Sequence, residues 1–200
     1  MKYAIVGFGK IGQALAHAFA RKNIDVTVAS RRPPEALAPQ AQAIGPTVVA
    51  KSLRDALEAD TIILAVPFGV HREVAKALPK WKGKTVIDAM NALVPTEELE
   101  GLLSSAFVAK SFTGAKFVKC FNHLKAATLA TDPVVEVGHR VVFLSSDDED
   151  AIAPVANLAK QLGFAPVELG KLNEGGALVH ARDGIWGPLI FQDLFKKEQE

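Results

Sequence analysis

Gly7-Phe8-Gly9-Lys10-Ile11-Gly12 follows the apolar run Tyr3 to Val6 and opens the helical pattern Ile11 to Arg21. This is a G-x-G-x-x-G spacing at a strand-to-helix turn, the arrangement that seats a dinucleotide pyrophosphate. Gly7 allows the tight turn, Gly9 lets phosphate oxygens approach bare backbone, and Gly12 lets the helix pack against the strand. The uncapped first-turn N–H groups and the positive end of the helix dipole then face the anion. About twenty residues further on, an NAD-binding chain would carry a carboxylate for the ribose hydroxyls. Here the apolar run Asp25 to Ala29 ends in Ser30-Arg31-Arg32. A hydroxyl and two guanidiniums are donors and cations suited to a 2′-phosphate, which a carboxylate would repel. Charge-assisted hydrogen bonds contribute roughly 1.5–3 kcal/mol each, so two would favour NADP(H) over NAD(H) by about a hundredfold or more. The expected cofactor is NADP(H).

The elements that must position these groups alternate along the chain. Helices are expected over 35–43, 53–59 (capped by Ser52), 70–78, 102–111 and from the acidic run Asp147 to Asp150 as far as Leu162. Strands are expected over 47–50, 60–66, 84–90, 115–121, 139–145 and 164–169, and the final thirty residues read as helical, broken by Gly184 and Gly187-Pro188. The continuous apolar run Asp60 to Val66 is typical of a central strand covered on both faces. This rhythm predicts an α/β fold: a doubly wound, mostly parallel Rossmann sheet with a helical C-terminal segment. Ligands in such sheets bind at the carboxyl ends of the strands. That rule nominates Gly7 to Ile11, Ser30 to Arg32, Ala65 to Phe68 (with Val66 and Pro67), Ala89 to Asn91 and Cys120 to His123, the last three groups flanking the nicotinamide half. Pro67, Asn91 and Asn122 also have readings as a strand terminator and turn caps.

Size and composition narrow the function classes. Two hundred residues, 49% of them hydrophobic, make one domain that buries about 70% of its unfolded surface. The net charge of +1 is spread evenly, which argues against nucleic acid as a partner. No apolar run reaches the roughly 20 residues that span a bilayer, so no membrane partner is expected. The N-terminal apolar residues belong to a strand rather than to a signal peptide. One cysteine, Cys120, fits a reducing, cytoplasmic setting. Of the five histidines, His71 and His123 follow strands and could reach the cleft as proton shuttles, whereas His17, His139 and His180 read as face or packing residues. None has metal-ligand spacing, so no metal site is expected.

Together, VGFGKIG, VASRR, AVPF, VKCFN and the block VVFLSSDDEDAIAPVANLAKQLGFAPVELGKL resemble the deazaflavin-dependent NADP oxidoreductase family. The chain is also similar to the cytosolic NADPH-oxidising domain of the six-transmembrane metalloreductases. The ending Asn173-Glu174-Gly175-Gly176-Ala177 and Trp186-Gly187-Pro188-Leu189 resembles a bacterial branch. The resemblance implies that Ser30, Arg31 and Arg32 hold the 2′-phosphate and that Phe8 to Ile11 hold the pyrophosphate. It also implies that Ala65 to Phe68 lie along the ribose and nicotinamide, and that Cys120 and Asn122 face the carboxamide. Cys120 stands where relatives commonly carry a small residue, so its thiol is a packing choice rather than a nucleophile. The implied activity is hydride transfer between NADP(H) and a small-molecule redox acceptor, a deazaflavin coenzyme, FMN or FAD. That transfer needs two rings held about 3–3.5 Å apart, with water excluded and no protein nucleophile. The alternatives are NADPH-dependent reduction of a small carbonyl or imine, and a non-catalytic NADP(H)-sensing module. Ile185, Trp186, Leu189, Ile190 and Phe191 suggest a buried segment or a homodimer contact.

Overall fold

The computed structural model describes residues 1–92, 94–136, 138–180 and 193–197. β1 (Tyr3–Val6) leads into α1 (Lys10–Arg21), β2 (Val26–Ala29) into α2 (Pro34–Ile44) and β3 (Val48–Ala50) into the single turn α3 (Leu53–Ala56). β4 (Thr61–Leu64) passes through a 3₁₀ turn at Phe68–Val70 into α4 (His71–Lys76), and β5 (Thr85–Asp88) is followed by α5 (Ser104–Ala109) and β6 (Lys116–Lys119). These six strands run parallel in the spatial order β3-β2-β1-β4-β5-β6. The order reverses between β1 and β4, so two βαβ halves diverge there and leave a crevice above their carboxyl ends. The expected doubly wound Rossmann sheet is present.

Its core follows from alternation. Successive strand residues face opposite sides, so Ile5, Ile63, Ile87 and Val118 pack with Ala14, Leu15, Ala18 and Phe19 of α1 on one side. Val6, Ile62, Leu64, Val86 and Phe117 pack with Trp81 and Phe112 on the other. All four residues of β4 are at most 3% exposed, as a strand covered on both faces requires. Ser52 caps α3 by accepting the Asp55 N–H at 3.1 Å. Trp81 donates its indole N–H to Ala75 O at 3.0 Å and meets Phe112 edge-on.

Beyond β6 the architecture departs from simple alternation. A short helix α6 (Ala126–Ala130) and a two-residue strand β7 (Val134–Val135) precede the long β8 (Gly138–Ser146), which runs antiparallel to β6. α7 (Glu149–Gln161) then carries the chain to β9 (Ala165–Glu168), parallel to β8. Two members of the acidic run before α7 do more than complement its dipole. Asp148 accepts the Phe117 N–H and Asp147 accepts the Leu172 N–H, both at 3.1 Å, fastening the start of α7 to β6 and to the turn after β9.

Where they are described, the last thirty residues are helical over one short 3₁₀ segment and extended over another. Gly175–Val179 forms a 3₁₀ turn, and Phe195–Lys196 forms β10, antiparallel to β8. The Arg140 guanidinium, bonded to Asp193 and lying over the Phe195 ring, holds that strand in place. A two-residue strand has no period to read, which is why it was not expected. The apolar residues Ile185 to Phe191 lie outside the described residues. Among the described residues no helix is long and apolar enough to cross a membrane.

Candidate dinucleotide site

The three glycines of the first turn do different work. Gly7 has φ +104°, and a Cβ there would lie 2.3 Å from Ala65 O. A Cβ on Gly12 would lie 1.9 Å from Gly7 O, so its bareness lets α1 sit directly on the turn. Gly9 is the N-cap residue of α1, with φ −84° and no side-chain cap, and a Cβ there would meet nothing within 4 Å. The space above Gly9 is open, and the first-turn amides of α1 face it without a protein cap. Gln13 braces the turn by donating to Phe8 O at 3.0 Å.

At the exit of β2, Ser30 Oγ accepts the Arg32 N–H at 3.0 Å and shapes the basic turn. Arg31 and Arg32 are exposed, and neither pairs with a carboxylate among the described residues; Arg32 reaches only the Gln40 side-chain oxygen, at 3.4 Å. Two cavities lie along the strand ends. The smaller, about 270 Å³, is lined by Gly7, Phe8, Gly9, Ser30 to Arg32, Ala65 to Pro67 and Val70. The larger, about 550 Å³, is lined by Lys10, Ile11, Ala65, Val66, Ala89, Met90, Asn91, Leu124, Lys125 and Ala126. They share Ala65 and Val66 as a common wall. Small-molecule sites typically occupy about 300–1,000 Å³, and an elongated ligand fits the pair better than either half. One end carries the Ser30 hydroxyl and the Arg31 and Arg32 guanidiniums beside an apolar wall. The other is apolar, with an amide at Asn91 and cations at its rim.

The structure thus brings most of the expected residues to one crevice. Gly12 supports the turn from below, and two residues lie elsewhere. Cys120 is fully buried in the core on the α1 side and lines neither cavity; burial pushes its thiol pKa far up, so it is neither exposed nor nucleophilic. Asn122 is 1% exposed and acts one layer below. Its amide donates to Asn91 Oδ1 at 3.1 Å and to Val179 O at 2.7 Å, while the Asn91 amide donates to Asn122 O at 2.9 Å. This reciprocal pair is made possible by Phe121, which adopts φ +64° although bulky and fully buried. Such a left-handed non-glycine residue costs roughly 1–3 kcal/mol and persists only where its surroundings over-determine it. Edge-on packing of its ring against Phe164, with centroids 5.8 Å apart, helps to hold it.

Sequence reasoning missed the groups beneath Met90. Asp88 and Lys119, the last residues of β5 and β6, are register partners and lie 3.4 Å apart, both 1% exposed. Burial lowers the Lys119 pKa, opposed by the neighbouring Asp88 charge. The available signal was two opposite charges, each ending an apolar run.

Neither expected histidine is among the described residues that line these two cavities. His71 is buried, with Nδ1 against Phe68 O and its ring near Phe68 and Phe107. His123 is buried with its ring edge-on to Phe143 at 4.9 Å, and desolvation lowers its pKa from 6.5 to about 4. His123 therefore stays neutral in the fold while the unfolded chain takes up a proton below pH 6.5. Stability is lost as pH falls from 6.5 towards 4, by at most about 3 kcal/mol from this group. Urea unfolding at pH 7 and pH 4.5 should show a larger acid loss in the wild type than in His123→Phe. Equal losses would mean that His123 is protonated without penalty in the fold.

The sequence model of the family described as NADP oxidoreductase, coenzyme F420-dependent, matches residues 2–92, which contain the glycine turn, the basic turn and the shared Ala65–Val66 wall. Over the whole chain, a crystal structure of a hypothetical protein, SMa0349, from Sinorhizobium meliloti superposes with a TM-score of 0.89 at 41% identity, covering 98% of this chain and 96% of that one. Residues 2–92 of the chain thus carry the pattern of this family of NADP oxidoreductases. A crystal structure of a candidate F420-dependent NADP-reductase from Arthrobacter sp. FB24 superposes on this chain with a TM-score of 0.70 at 26% identity, covering 86% of each chain. The metalloreductase STEAP3 of Rattus norvegicus is 27% identical over 176 residues, which are 86% of this chain and 34% of that protein. The chain therefore spans about a third of the length of the curated relatives it matches.

Proposed function

We propose that the protein transfers hydride between NADP(H) and a deazaflavin or flavin-type ring that stacks in the larger cavity. The observation that carries this reading is the crevice itself: a hollow bearing Ser30, Arg31 and Arg32 that meets, along Ala65 and Val66, a largely apolar hollow lined by Ala89, Met90 and Leu124. In this reading Arg31, Arg32 and the Ser30 hydroxyl bind the 2′-phosphate, and Phe8 to Ile11 with the α1 N-terminus bind the pyrophosphate. Val66, Met90 and Ala89 exclude water from the nicotinamide end, and Asn91 offers an amide to the carboxamide.

Bound NADPH supplies the hydride. The protein's part is to orient the donor carbon against the acceptor within about 3–3.5 Å. Among the described residues neither cavity is lined by Asp, Glu, His, Cys or Tyr, and a transfer between rings needs no side-chain nucleophile. Reduction of a small imine or carbonyl calls for a proton at the nascent amine or alcohol, and among the described residues the larger cavity offers the rim cations Lys10 and Lys125 for it.

The test is NADPH oxidation with a panel of acceptors: the deazaflavin coenzyme, FMN, FAD, ferric chelates and small cyclic imines. Turnover with a ring acceptor is the expected outcome. Tight NADPH binding with turnover only on imines would transfer the assignment to small-substrate reduction. Binding without turnover on any acceptor would leave a sensing role.

A further inference from the structure

The floor of the larger cavity is fastened from beneath by a buried ion pair. β5 ends at Asp88, and the next three residues, Ala89, Met90 and Asn91, line the cavity. Asp88 Oδ1 accepts the Met90 N–H at 2.9 Å. Its other oxygen accepts the Ser105 hydroxyl at 2.5 Å and lies 3.4 Å from Lys119 Nζ. The same Nζ donates to Met90 O at 3.0 Å. Both backbone polar groups of Met90 are therefore taken by opposite ends of one pair. None of Asp88, Ser105 and Lys119 is more than 1% exposed.

A buried pair of this kind is a poor source of stability, because desolvating both charges offsets their attraction, and apolar residues of equal volume often serve as well or better. Apolar replacements cannot supply the two bonds to Met90. Without them a strand exit that has left the sheet ladder would keep an unpaired N–H and C=O and would be free to turn otherwise. On the far side Asn91 is tied to Asn122, so residues 89–91 are gripped from both flanks.

We infer that Asp88, Lys119 and Ser105 are positioning residues that fix the Met90–Asn91 backbone as the surface on which the nicotinamide end of the dinucleotide rests. This rests on the NADP(H) reading above. The trio lies under the larger cavity and lines neither, so its loss should weaken only the nicotinamide half of binding.

Calorimetry with two probes separates the cases: NADPH, which spans both cavities, and adenosine 2′,5′-bisphosphate, which contains only the adenosine half. In the double variant Asp88→Leu/Lys119→Met, NADPH affinity should fall at least about tenfold while bisphosphate affinity stays within about twofold. Ser105→Ala leaves the charges in place and keeps the inference testable if the double variant does not fold. It should show the same split at about threefold. Unchanged NADPH affinity in a folded variant, or equal weakening of both probes, would overturn the inference, the second by showing a merely structural role. Failure of the wild-type protein to bind either probe would strike down the NADP(H) reading itself, and this inference with it.

Discussion

Gly9→Val should abolish NADPH binding, a loss of at least about a hundredfold, and still yield a folded protein. The two halves of that result have separate causes. A Cβ at Gly9 meets no protein atom within 4 Å, and the backbone there is extended at φ −84°, which any residue adopts. The cost to folding is that of replacing a good N-cap residue with a poor one, about 1 kcal/mol, or roughly 2–4 °C in Tm. The isopropyl group instead fills the space over the α1 amides that a pyrophosphate needs. Gly12→Val is the contrasting control. Its Cβ would be 1.9 Å from Gly7 O, backbone against backbone, so the first β-turn-α unit must move apart at more than about 4 kcal/mol. Circular dichroism with NADPH fluorescence titration checks both. Gly9→Val binding NADPH within threefold of the wild type would place the phosphates elsewhere.

Arg31→Glu should lower NADPH affinity by about a hundredfold and leave NADH affinity nearly unchanged. Arg31 is exposed and has no carboxylate partner among the described residues, so its replacement removes no ion pair there, and fold and Tm should hold. The substitution deletes a charge-assisted bond contributing roughly 1.5–3 kcal/mol and sets a carboxylate against the 2′-phosphate. NADH carries no phosphate there and has little to lose. The readout is the ratio of the two affinities. Equal losses for both coenzymes would mean that the basic turn reads something common to them.

Much of this was legible in the residues because the signals are local. The glycine spacing, the apolar run through Ile62 and Leu64, and the Ser52 cap each need only a short window of chain, and each appears where it was expected. What was not legible depends on partners distant in sequence. The run His139 to Ser145 looks the same whichever way it pairs, so the antiparallel join of β8 to β6 could not be read. Cys120 and Asn122 both follow the apolar core of β6. Only the left-handed turn at Phe121 shows that Asn122 bonds to Asn91 while Cys120 stays inside the sheet. Asp88 and Lys119 were visible as charges ending apolar runs, yet their meeting requires β5 and β6 to be neighbours in register. The Phe195–Lys196 strand is too short for periodicity and exists because Arg140 and Asp193 hold it against β8.

Because the two hollows share just Ala65 and Val66 among the described residues, a nucleotide fragment and a ring fragment need not compete. Each should occupy its own hollow at millimolar or weaker strength, and a short rigid tether between them makes the second docking step intramolecular, so that affinities multiply with no new contact. The width of that two-residue ridge, rather than the depth of either hollow, then sets the linker length for a tight inhibitor.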